Sequence, residues 1–171
     1  MMETIKIGDW SLRSWEKADI PALVKYADNR KIWLNVRDVF PFPYTRNDAE
    51  AWINTIQDPL TNFAVASQNE AIGGIGFNLQ DDVYRRSAEI GYWIGEPYWN
   101  RGIATLAVGA AAKYAFANFD LVRLYATVFE WNPASARVLE KNGFKLEGRL
   151  EKSVIKDGKL IDCLLYALVI D

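Results

Sequence analysis

At 171 residues and 19.5 kDa, the chain has the size of one domain with a single core spanning residues 1–171. Half of it is hydrophobic and a quarter charged, as in a globular protein; its net charge of -2 comes without any block of basic residues, which argues against nucleic acid as a partner. No apolar run reaches the roughly 18 residues of a membrane helix, the stretch Met1–Lys6 has no signal-peptide core, and the lone Cys163 cannot form an internal disulfide, which fits a reducing cytoplasm.

The first expected element is a strand over Trp10–Trp15. Asp19 then reads as a helix N-cap with Pro21 just inside, and the helix runs to about Asn29 with Leu23, Val24, Tyr26 and Ala27 near its buried face. Residues 30–47 read as irregular. They include Val39–Tyr44, whose prolines at 41 and 43 forbid a helix and favour a stiff, extended loop. Asn47 or Asp48 can cap a second helix through about Gln57, with Ala51, Trp52 and Ile56 inward. Two strands follow, Asn62–Ser67 and Ala71–Phe77, joined as a hairpin by Gln68–Glu70. Gly73, Gly74 and Gly76 suggest a bulge or close packing in that pair rather than a phosphate loop.

Ser87–Ile94 is the next strand, and an almost wholly apolar helix spans about Ile103–Asn118, which implies burial on several sides. Arg123–Phe129 is a β-branched and aromatic strand. Asn132 caps a short helix from Pro133 to Lys141, and Gly143 stops it. Strands at about Phe144–Val154 and Leu160–Val169 flank the turn signal Lys156-Asp-Gly-Lys159. The expected order is β-α-α-β-β-β-α-β-α-β-β.

The chain has no histidine. That removes Ser-His and Cys-His nucleophilic pairs and most zinc sites, so a metal is not expected and any general base is a carboxylate, Tyr, Lys, a backbone group or held water. The segment from Glu89 to Thr105 runs from a strand through a tight loop into a helix start. Several backbone N–H groups converge there, and such a terminus holds a phosphate well. Gly102 and Ala104 let the backbone approach the anion closely.

Three motifs in order carry a family resemblance: Arg101-Gly-Ile-Ala104, Asn132-Pro-Ala-Ser135 and Asn142-Gly-Phe144. With the strand and helix pattern around them, the chain resembles the GNAT N-acetyltransferases over about residues 8–170. Within them it resembles the RimJ/RimL-like branch that acetylates ribosomal-protein N-termini. One departure is Trp99, where the broad family prefers Gln or Arg, although Trp is usual in this branch.

The resemblance implies an α+β fold of three layers: a mixed, mostly antiparallel sheet with one splayed parallel strand pair, flanked by helices. It implies acetyl-CoA as co-substrate and direct transfer of acetyl to a primary amine. The acceptor would be a protein or peptide N-terminus, or a small amine such as an antibiotic, polyamine or amino acid; a non-catalytic acyl-CoA sensor is the competing class. Homodimers are common among relatives.

Residue by residue, the resemblance assigns the pyrophosphate to the backbone around Asn100, Arg101, Gly102, Ile103, Ala104 and Thr105. The pantetheine arm would lie between Trp93–Ile94 and Val128–Phe129, with a backbone N–H near Ile94 holding the thioester carbonyl. Asn132, a helix cap on its own reading, would also bond the arm, and Lys141 would reach the phosphates or be simply solvated. Ser135 would stand near the CoA sulfur, with a plain first-turn serine as its alternative. Glu89, a carboxylate in an otherwise apolar strand, is the general-base candidate, or else a structural partner for an arginine. Some relatives carry another glutamate on the sixth strand, where this chain has Val154. The loop 36–44 would wall the acceptor site, with Phe40, Phe42 and Tyr44 as contacts or core anchors, and Arg37 and Asp38 as candidates to read acceptor charge.

Overall fold

The structure, a computed structural model, describes residues 3–56 and 60–171. One eight-stranded sheet organises them: β1 (Ile5–Ile7), β2 (Trp10–Arg13), β3 (Asn62–Ala66), β4 (Ala71–Leu79), β5 (Ser87–Ile94), β6 (Arg123–Phe129), β7 (Lys145–Lys156) and β8 (Lys159–Val169). Their spatial order is β1-β2-β3-β4-β5-β6-β8-β7, and every neighbouring pair is antiparallel except β5–β6. The helices are α1 (Ile20–Ala27), α2 (Arg30–Trp33), α3 (Arg46–Thr55), α4 (Ile103–Asn118) and α5 (Pro133–Lys141). The fold class is the expected mixed sheet with one parallel pair.

The central elements fall where their punctuation puts them. Gly102 has φ +74°, a left-handed conformation that costs glycine little, and α4 begins at the next residue. Asn132 accepts a hydrogen bond from the Ser135 N–H (3.3 Å) at the head of α5, and Gly143 at φ +83° follows its end. Asp157 and Gly158 both have positive φ, as a two-residue type I′ hairpin turn requires. The glycines of β4 serve close packing: a Cβ on Gly73 would stand 2.3 Å from the Trp93 carbonyl oxygen, and one on Gly76 would stand 2.6 Å from Asn62 Oδ1.

Five expectations need correction. The strand β1 precedes the first expected one; three residues carry too little pattern to announce it. A helical turn, α2, interrupts the supposedly irregular 30–47 stretch because Asn29 caps it, accepting from the Lys31 N–H (2.8 Å). Asp19 does not cap α1 through its side chain. Its carboxylate instead takes both Arg13 guanidinium nitrogens (2.8 and 2.7 Å) and the Glu16 N–H (2.9 Å), which satisfies a buried charge. The cap of α3 is Thr45, in a reciprocal box with Asp48, not Asn47 or Asp48 itself. The buried stripe of α3 is Ala49 and the partly buried Ile53, four residues apart on one face, whereas Ala51 and Trp52 are exposed. Gln57, the expected end of that helix, lies outside the described residues.

The main core lies between the sheet and α4. Ala107, Ala111 and Ala115, spaced by one turn, are fully buried and let the helix sit close on the strands, while Leu106 and Lys113 face outward. A second cluster on the other face joins α1 and α3 through Ile20, Leu23, Ala27, Tyr44 and Ala49. Burying these side chains contributes roughly 1.5–3 kcal/mol for each large apolar group. Helices thus cover both faces of β3–β5.

Candidate active site

The parallel pair β5–β6 holds register for only three positions, Ser87–Glu89 against Arg123–Tyr125. Beyond them each strand keeps its other neighbour: β5 stays paired with β4 to Ile94, and β6 with β8 to Phe129. The two strands therefore diverge, and a cleft of about 680 Å³ opens between them. The Gly95 N–H bonds the Ile72 carbonyl (2.7 Å), so the alternation of the antiparallel ladder turns the Ile94 N–H away from β4, toward the cleft. The Ile94 carbonyl accepts from the Trp99 indole Nε1 (2.6 Å). Trp99, the departure in the motif, thus ties the strand end to the loop that leads into α4.

At that loop Asn100 and Gly102 both have positive φ, 60° and 74°. The first backbone bond of α4 runs from the Leu106 N–H to the Gly102 carbonyl (3.1 Å), leaving the N–H groups of Ile103, Ala104 and Thr105 without an acceptor within the helix. All three residues line the cleft, and a Cβ on Gly102 would meet nothing within 4 Å. Open ground in front of several aligned donors and a positive helix end fits a pyrophosphate. Arg101 stacks its guanidinium over the Tyr98 ring (5.3 Å to the centroid), and Arg137 and Lys141 of α5 line the same region.

Across the cleft stand Asn132 and Ser135 at the head of α5. Sequence reasoning missed the partner of Ser135, Tyr92. Its hydroxyl lies 2.7 Å from Ser135 Oγ and 3.2 Å from the Ser135 carbonyl oxygen. Burial pushes the Tyr92 phenol up to about 12, a shift that the hydrogen bond to Ser135 opposes but does not cancel. A tyrosine in line with Ile90 and Ile94 looks like core packing, and only the fold brings its hydroxyl to a residue 43 positions away.

Glu89 also lines the cleft, on the opposite face of β5 from Tyr92, and its Oε1 lies 3.4 Å from Thr127 Oγ1. It has no arginine partner among the described residues; Arg123 on the adjacent strand pairs with Glu147 instead (2.5 Å). Val154 is far from this role, packed with Phe129, Ile161 and Cys163.

The wall over this end of the cleft differs from expectation. Lys31, Ile32, Asn35, Val36 and Arg37 form it, whereas Phe40, Phe42 and Tyr44 do not line the cleft. Tyr44 is buried in the α1–α3 cluster and Phe40 packs there, 5.1 Å from Tyr44 and 5.6 Å from the Trp93 ring. Phe42 lies against Trp33 (5.9 Å). The second core thus takes Tyr44 and Phe40, while Phe42 stays with Trp33. Of the two charge readers, Arg37 lines the cleft, while Asp38 accepts from the Lys156 ammonium (2.6 Å).

Comparison with known proteins agrees with this geometry. Residues 10–145 match the family model of the acetyltransferase (GNAT) domain. Over 98% of its length the chain is 30% identical to p20 of Bacillus licheniformis, named as an N-acetyltransferase, covering 97% of that protein. It is 28% identical to the ribosomal-protein-serine acetyltransferase of Escherichia coli K12, covering 100% of this chain and 99% of that one. The fold is shared with Mycobacterium smegmatis RimJ in complex with CoA-disulfide: TM-score 0.86 at 24% identity, over 98% of this chain and 87% of the other.

Proposed function

The chain belongs to the GNAT acetyltransferases, and on that premise we propose that it acetylates the α-amine of a protein or peptide N-terminus. It is an N-acetyltransferase, and its acetyl donor is acetyl-CoA. The observation that carries the finer reading is the cleft between β5 and β6, which joins an anion-binding helix start to a floor bearing a single carboxylate, Glu89. The kinship with a ribosomal-protein acetyltransferase supports it.

Acetyl-CoA supplies the thioester whose acetyl group passes to the amine as the sulfur leaves. The N–H groups at the start of α4, with Arg101 and Lys141, hold the phosphates, and Asn132 and the cleft edge of β5 bind the arm. The Ile94 N–H stabilises the carbonyl oxygen as it gains charge; losing such a donor typically costs roughly 100- to 1000-fold in rate. Glu89, directly or through a water, takes the proton that the amine releases. Ser135, backed by the Tyr92 hydroxyl, donates a hydrogen bond to the departing sulfur, whose thiol pKa of about 8.5 already makes it a fair leaving group. A site with one half-exposed carboxylate as base suits an α-amine, with a pKa of about 7.7–8.0, better than a lysine at about 10.4.

The test is CoA-thiol release from acetyl-CoA by the purified protein with N-terminal peptides, polyamines, aminoglycosides and free amino acids. The reading expects turnover with peptides and product acetylated at the α-nitrogen. Turnover confined to polyamines or aminoglycosides would overturn it.

A further inference from the structure

The segment that walls the cleft carries four charged residues between positions 30 and 38, Arg30, Lys31, Arg37 and Asp38, of which Lys31 and Arg37 line the cleft. Three are neutralised within the protein. Arg30 pairs with Asp157 (2.6 Å), Lys31 with Glu96, and Asp38 with Lys156 (2.6 Å). Arg37 is the exception: among the described residues its guanidinium has neither an ion pair nor a hydrogen bond, and it lines the cleft. The backbone that presents it is held from several sides. Asn29 caps α2 and donates to Glu96 (2.7 Å), the Trp131 indole donates to the Leu34 carbonyl (3.2 Å), and the Phe40 N–H donates to the Arg37 carbonyl (3.0 Å).

An unpaired arginine on a convex surface means little. One on a fixed wall of a concave site is different, because low-dielectric walls focus its field and its planar fork matches a carboxylate. The other cleft cations without an ion pair among the described residues are Arg101, in the loop before α4, and Arg137 and Lys141 on α5; all three belong to the region of the helix start that fits the donor's phosphates. Arg37 instead belongs to the wall segment that, through Phe40 on Trp93 (5.6 Å), packs on the face of β5 that also carries Glu89. A primary amine attracted by Glu89 and an anion attracted by Arg37 would belong to one acceptor.

Resting on the acetyl-transfer reading above, we propose that Arg37 recognises a carboxylate on the acceptor, so that the preferred substrate is a primary amine with an acidic group close to it. Two sources offer that chemistry: a peptide N-terminus with Asp or Glu in its first positions, and a free α-amino acid. Polycationic amines are selected against, because they bring like charge to Arg37.

The experiment uses matched acceptors: Ser-Asp-, Ser-Asn- and Ser-Lys-led peptides of otherwise identical sequence, and free serine against its α-amide. kcat/KM is measured for the wild-type protein, Arg37→Met and Arg37→Glu, together with the KM for acetyl-CoA. The wild type should prefer the acidic member by about tenfold or more, the gain expected of one charged hydrogen-bonded contact. Arg37→Met should level the preference, Arg37→Glu should shift it toward the Lys-led peptide, and the KM for acetyl-CoA should stay within about twofold. Equal rates within wild-type pairs, or a preference that survives Arg37→Met, would overturn the proposal. So would a rise in the acetyl-CoA KM alone, which would put the guanidinium on the donor side. Carboxylate-dependent turnover of the amino acid without any peptide turnover would sustain Arg37 and defeat the peptide reading. Peptide turnover indifferent to charge would do the reverse, and no turnover of any member would defeat both.

Discussion

A phenol that stays protonated is a dependable donor, and Tyr92 is held in that state by burial, which raises it to about 12. Its hydroxyl touches Ser135 Oγ at 2.7 Å, so the two hydroxyls act as one unit facing the cleft. Tyr92→Phe removes only that oxygen. We expect kcat to fall about tenfold with the KM for acetyl-CoA nearly unchanged, since one oriented hydrogen bond is lost and no packing. Ser135→Ala should match it, and the double variant should be little worse than Ser135→Ala alone, because the pair shares one function. The pH profile offers an independent check. With an α-amine acceptor the rate should rise toward about pH 8 as the amine loses its proton. It should then hold past pH 10, because Tyr92 keeps its proton until about 12. Its contribution to folding has the same sign: with the folded value above the unfolded one, the stability is present below about pH 10 and is lost as pH rises through 12. A fall in rate beginning near pH 10 would show that the phenol is not held up. The place of Glu89 in the cleft was legible in the sequence because a carboxylate breaks an apolar strand. Tyr92 was not, because a tyrosine among isoleucines is indistinguishable from core until the fold sets α5 beside it.

The β5–α4–β6–α5 unit was the most legible part of the chain, and the reason is chemical punctuation: Gly102, Asn132 and Gly143 each mark a conformation that few other residues adopt. Legibility failed where an element is too short to show a period, as in β1 and α2. It failed again where one aromatic stripe could serve either a core or a wall, as with Phe40 and Tyr44. Two predictions belong to this unit. Gly102→Val should abolish acetyl-CoA binding by calorimetry while circular dichroism remains native. The added side chain enters open space, so the penalty is a β-branched residue at φ +74° beside the anion site rather than a clash in the core. Retained binding would displace the site from the α4 terminus. The second concerns the α4–α5 joint. Asn142 donates to the Thr105 carbonyl (3.0 Å) and the Val138 carbonyl (2.9 Å), and a Cβ on Gly109 would press to 2.7 Å of its Oδ1. Alanine gains about 1 kcal/mol of helix propensity over glycine, but displacing Asn142 loses two hydrogen bonds of roughly 1 kcal/mol each. The loss wins by about 1 kcal/mol, so Gly109→Ala should lower Tm by about 2–4 °C; a higher Tm would mean that Asn142 is not fixed.

Across the whole molecule, the β7–β8 hairpin reaches from the far edge of the sheet to the 30–38 segment that walls the cleft, and Lys156 is its anchor. The side chain is 1% exposed, and its ammonium lies 3.9 Å from the centre of the Trp33 ring and 2.6 Å from Asp38. The carboxylate of Asp38 is by contrast 70% exposed. This inequality makes the two halves of the pair unequal in their effects. Lys156→Met keeps the apolar stem and leaves Asp38 to be solvated by water, so the stability cost should be no more than about 1 kcal/mol. Asp38→Asn leaves an ammonium buried with only a ring and an amide for company, and should cost more, about 2 kcal/mol, because an uncompensated buried charge is the expensive outcome. The double variant should return to the value of Lys156→Met, since the stranded charge is gone. Denaturant melts of the three variants test that order, and equal costs for the single variants would mean that the ammonium is solvated after all. Catalysis should follow a different rule. Both single changes remove one of the ties on the segment that carries Arg37, so both should raise the acceptor KM about twofold to threefold while leaving that for acetyl-CoA alone, because the α4 terminus is anchored independently through Trp99 and Ile94. A variant that loses stability without any change in acceptor KM would show that the wall keeps its shape without the hairpin.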